Sequence, residues 1–437
     1  MEDTIGVSLR KNLPAGILDA ALNSLGSFVV GLAAARILEP ALLGVFAVFF
    51  TAHSLGHTVP TYLIYVPAEV QAVSWPVEHR IRVVYRSTWL GMGPSLIAGI
   101  AILLAILVVR SQASASELAA FGWTTAAATI LAPAQAHVRR MQHIAGLSWR
   151  AAVTSGMQLV GAGAGVALLL GVDVPVAWVP FGALALANAV SIGVGLFLSR
   201  GGRPTPDRLR LSQVVKAGRW LVVSGVVPAA ALFVVASLIS HLASAEQLGF
   251  AEAARVAAQP VLVLGVGLNA VLGPRSMEAA HRHDRRAARR MELLTTGIVL
   301  AATAGYLLLA GGAWGWNPLY HLVPKAYEVG GLAALMIVAH ALGSIVLAPR
   351  SELLGGRMEK KLTLIETLSS LASIIVACTA GVSLAFARPW SLLSQNLWRA
   401  IHYRRALLPL YRTAPATEAP GDEAPPWEGL VLDGKDS

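Results

Sequence analysis

The chain has 437 residues, of which 55% are hydrophobic and only 13% charged, with a mean hydropathy of +0.63. A soluble domain of this length could not carry that composition on its surface, so a soluble enzyme or binding module is excluded and an all-α polytopic membrane protein is expected. The formal net charge of +10 points to anionic partners, and the positions of the basic residues decide which.

At about twenty residues per crossing, the length leaves room for roughly twelve transmembrane helices. Met1 to Lys11 lead straight into the first, Leu13 to Ala35, with no small-residue cleavage site after it, so no cleavable signal peptide is expected. Span 2, after a turn holding Arg36, Glu39 and Pro40, covers Leu42 to Ala68. Spans 3 to 6 cover Ser87 to Val109, Ala115 to Val138, Trp149 to Leu170 and Val176 to Ser199. A polar, basic connector, residues 201–219, leads to span 7, Trp220 to Leu242, and span 8, Ala245 to Gly273. Span 9 covers Leu293 to Gly312, span 10 Ala326 to Ala348 and span 11 Leu362 to Ala380. Span 12, Gly381 to His402, is diluted by Arg388, Gln395, Asn396 and Arg399. Residues 1–200 and 220–412 are thus read as two six-helix bundles. Residues 413–437, rich in Pro, Glu and Asp, cannot bury a core and are read as a disordered cytoplasmic tail.

The basic residues check this count, because loops that stay in the cytoplasm hold the excess of Lys and Arg. With the N-terminus inside, all but five of the 34 fall on the inner side; the outer loops hold Arg36, Arg110, Lys325 and Arg388, and Arg255 lies within span 8. A missed or invented helix would scramble that alternation, so both termini are placed in the cytoplasm and the protein in the cytoplasmic membrane. The richest loop, HRHDRRAARR from His281 to Arg290, is then a topological determinant attracted to anionic lipids of the bilayer, and no nucleic-acid partner is expected.

Charges inside spans are the candidate functional groups. A cation near the middle of a bilayer costs at least a few kcal/mol unless it faces protein or water. Span 8, which opens LGFAEAARVAAQPVLVLGVGLN from Leu248, carries Glu252 and Arg255, read as substrate-binding; the plain alternative is a self-neutralising pair three residues apart. Asp19, with Asn23 one turn on, is the candidate proton or sodium site in span 1, or else an ion-pair partner for the other half. His53 and His57 lack a third ligand and read as hydrogen-bonded histidines of the core or cavity, so no metal site is expected. Glu366 is expected to pair with Lys360 or Lys361, and GAGAG from Gly161 serves close helix packing. No paired loop carboxylates and no Gly-rich turn ending in Lys-Ser or Lys-Thr appear, so neither enzymatic activity nor a cofactor is expected.

An internal echo relates the two halves. LLGVFA from Leu42 matches QLGFAEA from Gln247, with Gly44 opposite Gly249, and Leu131, Ala132 and Pro133 match Leu347, Ala348 and Pro349. Six helices per half is an even number, so the halves share an orientation and enclose a central cavity.

ARILEPALLGVFAV from Ala35, LGFAEAARVAAQPVLVLGVGLNAVLGPR from Leu248 and RRMQHIAGLSWRAA from Arg139 resemble corresponding stretches of bacterial polysaccharide and oligosaccharide flippases, of the multidrug, oligosaccharidyl-lipid and polysaccharide exporter superfamily. The resemblance implies alternating access and a polyprenyl-pyrophosphate-linked glycan as substrate, with Arg255 at the family's cationic position in helix 8. It also implies polysaccharide polymerase or glycosyltransferase machinery as candidate protein partners. Two further readings stay open: a cation-coupled multidrug or small-molecule exporter of the same superfamily, and a polysaccharide-assembly protein that does not transport.

Overall fold

Apolar chain in lipid must satisfy its backbone groups internally, which leaves helices or closed barrels. Among the described residues all regular structure is helical. The structure is a computed structural model that describes residues 2–73, 75–201, 209, 211–311, 317–329, 331–380 and 385–412. The tail read at 413–437, most of the connector's polar stretch (202–208 and 210) and the start of span 12 (381–384) lie outside the described residues.

The first half is built from α1 (Glu2–Ile37), α2 (Pro40–Pro60), α3 (Val83–Ile102), α4 (Ala115–Ile144), α5 (Ser148–Gly171) and α6 (Val179–Leu198). The second comprises α7 (Leu211–Leu242), α8 (Ala245–His281), α9 (Arg285–Gly311), α10 (Leu332–Ile345, continued by Leu347–Gly355), α11 (Glu359–Ala380) and α12 (Ala387–Arg412). Several helices outrun the expected spans. The spans were bounded where charge begins, whereas a helix continues through polar residues once it leaves the bilayer. Two helix starts show ordinary capping: Ser114 and Glu117 form a reciprocal capping box on α4, and Ser244 accepts from the Gln247 N–H on α8. Beyond Pro60, α2 passes through a wide π-type turn, Thr61–Tyr65, before Val66–Val73. Pro67 accounts for the turn, since it cannot donate to the preceding turn and its ring crowds the Leu63 carbonyl.

Ten of these helices are long and apolar enough to cross a membrane; α4 and α12 fall outside that set because Gln135, His137, Arg139 and Arg140, or Gln395, Asn396 and Arg399, dilute them. Both are nevertheless held within the bundles, α4 against α3 and α6, and α12 against α10 and α11. Large apolar side chains face outward, with Trp89 81%, Ile97 71% and Leu308 75% exposed. In water such a surface would aggregate, whereas in lipid it is the expected exterior.

Packing partners repeat between the halves. The pairs α1 with α5, α5 with α6, α4 with α6 and α3 with α4 recur as α7 with α11, α11 with α12, α10 with α12 and α9 with α10. This is the two-bundle architecture expected from the echo. The halves meet along α2 and α8, flanked by α1 and α7. A Cβ on Gly44 would collide with the Ala245 carbonyl, and one on Gly249 with the Pro40 carbonyl, so each echoed glycine lets the other half's helix start approach.

This seam is closed on the face opposite the start of α1 and the end of α12. There Gln112 and Ser240 exchange hydrogen bonds of 3.0 and 2.6 Å, the Arg36 guanidinium donates to the His321 carbonyl, and the Tyr327 hydroxyl donates to the Leu38 carbonyl. Burial, with the Glu39 carboxylate adding to it, pushes the Tyr327 hydroxyl up to about 12, so it stays a donor at neutral pH. A cluster including Phe46, Phe49, Phe121, Phe181, Ile239 and Leu248 backs the seam.

Candidate functional site

Glu252 lies two turns into α8 from the closed seam and is fully buried. One carboxylate oxygen accepts from Arg255 Nε at 2.8 Å and lies 2.7 Å from its terminal nitrogen; the other accepts from Arg388 Nη1 at 2.6 Å. The local α-helical pair anticipated from sequence therefore forms, but it is not self-contained. Arg388, an outer-loop residue by the charge count, stands at the start of α12 and is buried, because Glu252 compensates its charge there. The three residues together carry one net positive charge.

Arg255 also reaches the first half. Its guanidinium carbon stands 4.5 Å from the centroid of the Phe50 ring on α2, and a Cβ on Gly31 of α1 would lie 3.6 Å from its terminal nitrogen. A cation over an aromatic face is attracted by the ring quadrupole, so Phe50 helps hold the charge in the seam. Two buried polar atoms with no protein partner flank the group, His340 Nε2 on α10 and Gln259 Oε1 on α8. They leave hydrogen-bonding capacity beside a positive centre.

Asp19 belongs to a separate network in the first half, where Arg139 Nη1 donates to it at 2.8 Å, Ser155 Oγ at 2.6 Å, and a His143 ring nitrogen lies 2.9 Å away. The ion-pair alternative placed its partner in the other half; the partners are in its own, on α4 and α5. Asn23 does not join these contacts. Nearby, Glu69 receives both its oxygens' bonds from Arg140 Nε at 2.9 Å, and His137 bridges Glu69 at 2.8 Å to Ser87 at 2.6 Å. His53 hydrogen-bonds Thr129 at 2.9 Å, and its ring lies tilted against those of His57 and Phe181, as a histidine of the core.

No protein-family model matches the sequence, and no curated protein does either. Solved structures do. The chain is similar to a multidrug resistance MATE family transporter of the MOP superfamily in an inward-facing conformation, with TM-score 0.60 and 15% identity over 93% of this chain and 96% of that one. It is similar to the MATE multidrug transporter DinF-BH in complex with R6G, with TM-score 0.63 and 12% identity over 92% and 96%. It is also similar to a MOP superfamily transporter from Pyrococcus furiosus Vc1, with TM-score 0.60 and 14% identity over 92% and 94%.

The chain has the fold of these transporter structures.

A fourth ionic cluster lies in the second half. Glu366 of α11 was expected to pair with Lys360 or Lys361. It turns inward instead and binds Arg399 Nη2 and the Tyr403 hydroxyl of α12, each at 2.5 Å, with Arg350 Nε of α10 at 3.5 Å. The lysines are solvated at the helix start, where water satisfies them, while Arg399 would otherwise be buried uncompensated. The echo between the halves gives no sign of this, since it sets Pro133 against Pro349 and so places Arg139 opposite Gly355 and not opposite Arg350.

Proposed function

We propose that the chain moves a polyprenyl-linked oligosaccharide or polysaccharide precursor across the cytoplasmic membrane by alternating access. The observation that carries this reading is the sign of the central charge. Glu252 is shared by two guanidiniums, which leaves a positive centre at the meeting of the halves. Guanidinium suits a pyrophosphate because its planar fork donates paired hydrogen bonds and stays protonated. In this reading Arg255 and Glu252 form the substrate-binding centre, the face with the start of α1 and the end of α12 is cytoplasmic because the Lys and Arg gather there, and the lipid tail stays in the bilayer. Polymerase or glycosyltransferase machinery would supply or consume the glycan. Pocket polarity is also what sets apart the Pyrococcus furiosus transporter, where it is described as reversed and as suggesting a different function.

Asp19, with Asn23 beside it, is the proposed ion-coupling position. Protonation of Asp19 would release Arg139 and His143 at the terminal end of the first half. The fold likeness alone fits a second reading equally well, a cation-coupled small-molecule exporter, since the multidrug MATE structures share it.

Proteoliposomes separate the two. A fluorescent polyprenyl-diphosphate oligosaccharide should cross in the presence of the chain, scored by its protection from a membrane-impermeant quencher, and Arg255→Ala should abolish the crossing at normal protein abundance. Arg255→Lys should restore it in part, keeping the charge but not the fork. Gradient-driven efflux of a lipophilic cation with no crossing of the lipid-linked sugar would select the exporter.

A further inference from the structure

A cavity of about 240 Å³ lies toward the face with the start of α1 and the end of α12, away from Arg255, lined by Tyr62 of α2, Ser224 and Pro228 of α7, Arg350 of α10, Glu366 of α11 and Arg399 of α12. A single water needs roughly 10–15 Å³ of such space, so the void holds many waters and has room for a small polyatomic ion. Its charged wall is incompletely satisfied. Arg350 Nε stands 3.5 Å from Glu366, beyond a good hydrogen bond, and its side chain is 40% exposed. Arg399 is deeper, at 16% exposure, bonded through Nη1 to Asn396 and through Nη2 to Glu366, while its Nε is buried with no partner. Two guanidiniums against one carboxylate leave one net positive charge. Donors in excess of acceptors, with the Tyr62 hydroxyl among the lining groups, make the cavity complementary to an anion; the Ser224 hydroxyl already donates to the Leu221 carbonyl at 2.9 Å.

We propose that this cavity is an anion site, separate from the Arg255 centre, that takes a phosphate or diphosphate group through Arg350 and Arg399, with Glu366 as the internal counter-ion that the anion displaces. Arg350 is the mobile ligand, because its bond to Glu366 is already long. Arg399 is the fixed one, because Tyr403 and Arg399 hold Glu366 from α12. An anion seated here would also touch Tyr62 across the seam, so its arrival would link α2 to the second half. Anion binding stands without the transport reading; that the natural source is a lipid headgroup rests on it.

The test uses the purified full chain in nanodiscs. Inorganic pyrophosphate is titrated by calorimetry and by its effect on the unfolding midpoint, and a short-chain polyprenyl diphosphate supplied within the nanodisc is the second arm. Wild type should bind saturably. Arg350→Gln should weaken binding about tenfold or more, the loss expected for one charge-assisted contact. Glu366→Gln should tighten it, because the competing carboxylate is gone while the side-chain shape remains. A merely structural Glu366 would give weaker binding or none when replaced. Arg255→Gln should leave the Arg350-dependent part of pyrophosphate binding in place, so that binding lost only in Arg255→Gln belongs to the central site and binding lost only in Arg350→Gln belongs to this one; loss of all binding in Arg255→Gln would overturn the separate site. If both ligands bind with the same dependence on Arg350, the site reads phosphate itself; if only the polyprenyl form does, it reads a lipid headgroup. Absence of saturable binding of both ligands, or binding indifferent to Arg350→Gln, overturns the proposal. Loss of sugar crossing in Arg255→Ala alongside that indifference would leave the transport reading standing without it.

Discussion

Glu252→Ala is the most informative perturbation of the central site, because the structure predicts an order of effects that a simple pair would not. Glu252 is fully buried and receives bonds from Arg255 at 2.8 Å and Arg388 at 2.6 Å. Removing it strands two guanidiniums whose side chains are each only 11% exposed, and an uncompensated buried charge costs about 3–5 kcal/mol. Removing Arg255 instead leaves Glu252 still bound to Arg388, so the loss is one charge-assisted hydrogen bond, about 1.5–3 kcal/mol. At roughly 2 °C per kcal/mol, the low end for larger proteins, the unfolding midpoint in detergent should fall by about 6–10 °C for Glu252→Ala and about 3–6 °C for Arg255→Ala. The double variant Glu252→Ala with Arg388→Ala should recover part of the loss, since the stranded charge goes with its partner. The assay is the temperature at which monodisperse protein disappears from a size-exclusion trace. An Arg255→Ala midpoint as low as that of Glu252→Ala, or a double variant worse than the sum of its parts, would refute the shared-carboxylate account.

Reporters placed at Arg203 and in the C-terminal tail should both read cytoplasmic, and one at Asn317 should read outside; a cytoplasmic signal at Asn317 would overturn the helix count. If Asp19 carries the coupling ion, Asp19→Asn should remove the dependence of transport on that gradient in folded protein, and unchanged dependence would leave Asp19 as the ion-pair partner of Arg139 and His143. Gly44→Val should hold the closed seam apart, because its side chain meets the Ala245 carbonyl. Labelling of Ser240→Cys by an impermeant maleimide, in a Cys378→Ser background, should then rise well above that of the Gly44 chain, and equal labelling would show that the seam does not depend on this approach.

The helices themselves were readable along the chain. Each is an apolar run that must close its own hydrogen bonds in lipid, so spans such as Trp149 to Leu170 appear as α5 with ends shifted by a residue. The echo of Gly44 and Gly249 was readable too, since only a residue without a Cβ permits that approach, although which carbonyl it meets was not. Span 12 was the weakest span and its start lies outside the described residues; its polar residues looked like dilution and are the partners of α10 and α11.

By itself, then, the sequence determined the helical membrane class, the number and order of the helices and the pairing of the halves, because hydropathy and turn residues act locally. Tertiary structure alone decided which charge answers which. Glu252 finds Arg388 on a helix far along the chain, and Glu366 finds Arg399 on the next helix and not the lysines one to two turns before it. In a low-dielectric interior a buried charge takes whichever opposite charge the packing brings within about 3 Å, and sequence distance carries no information about that.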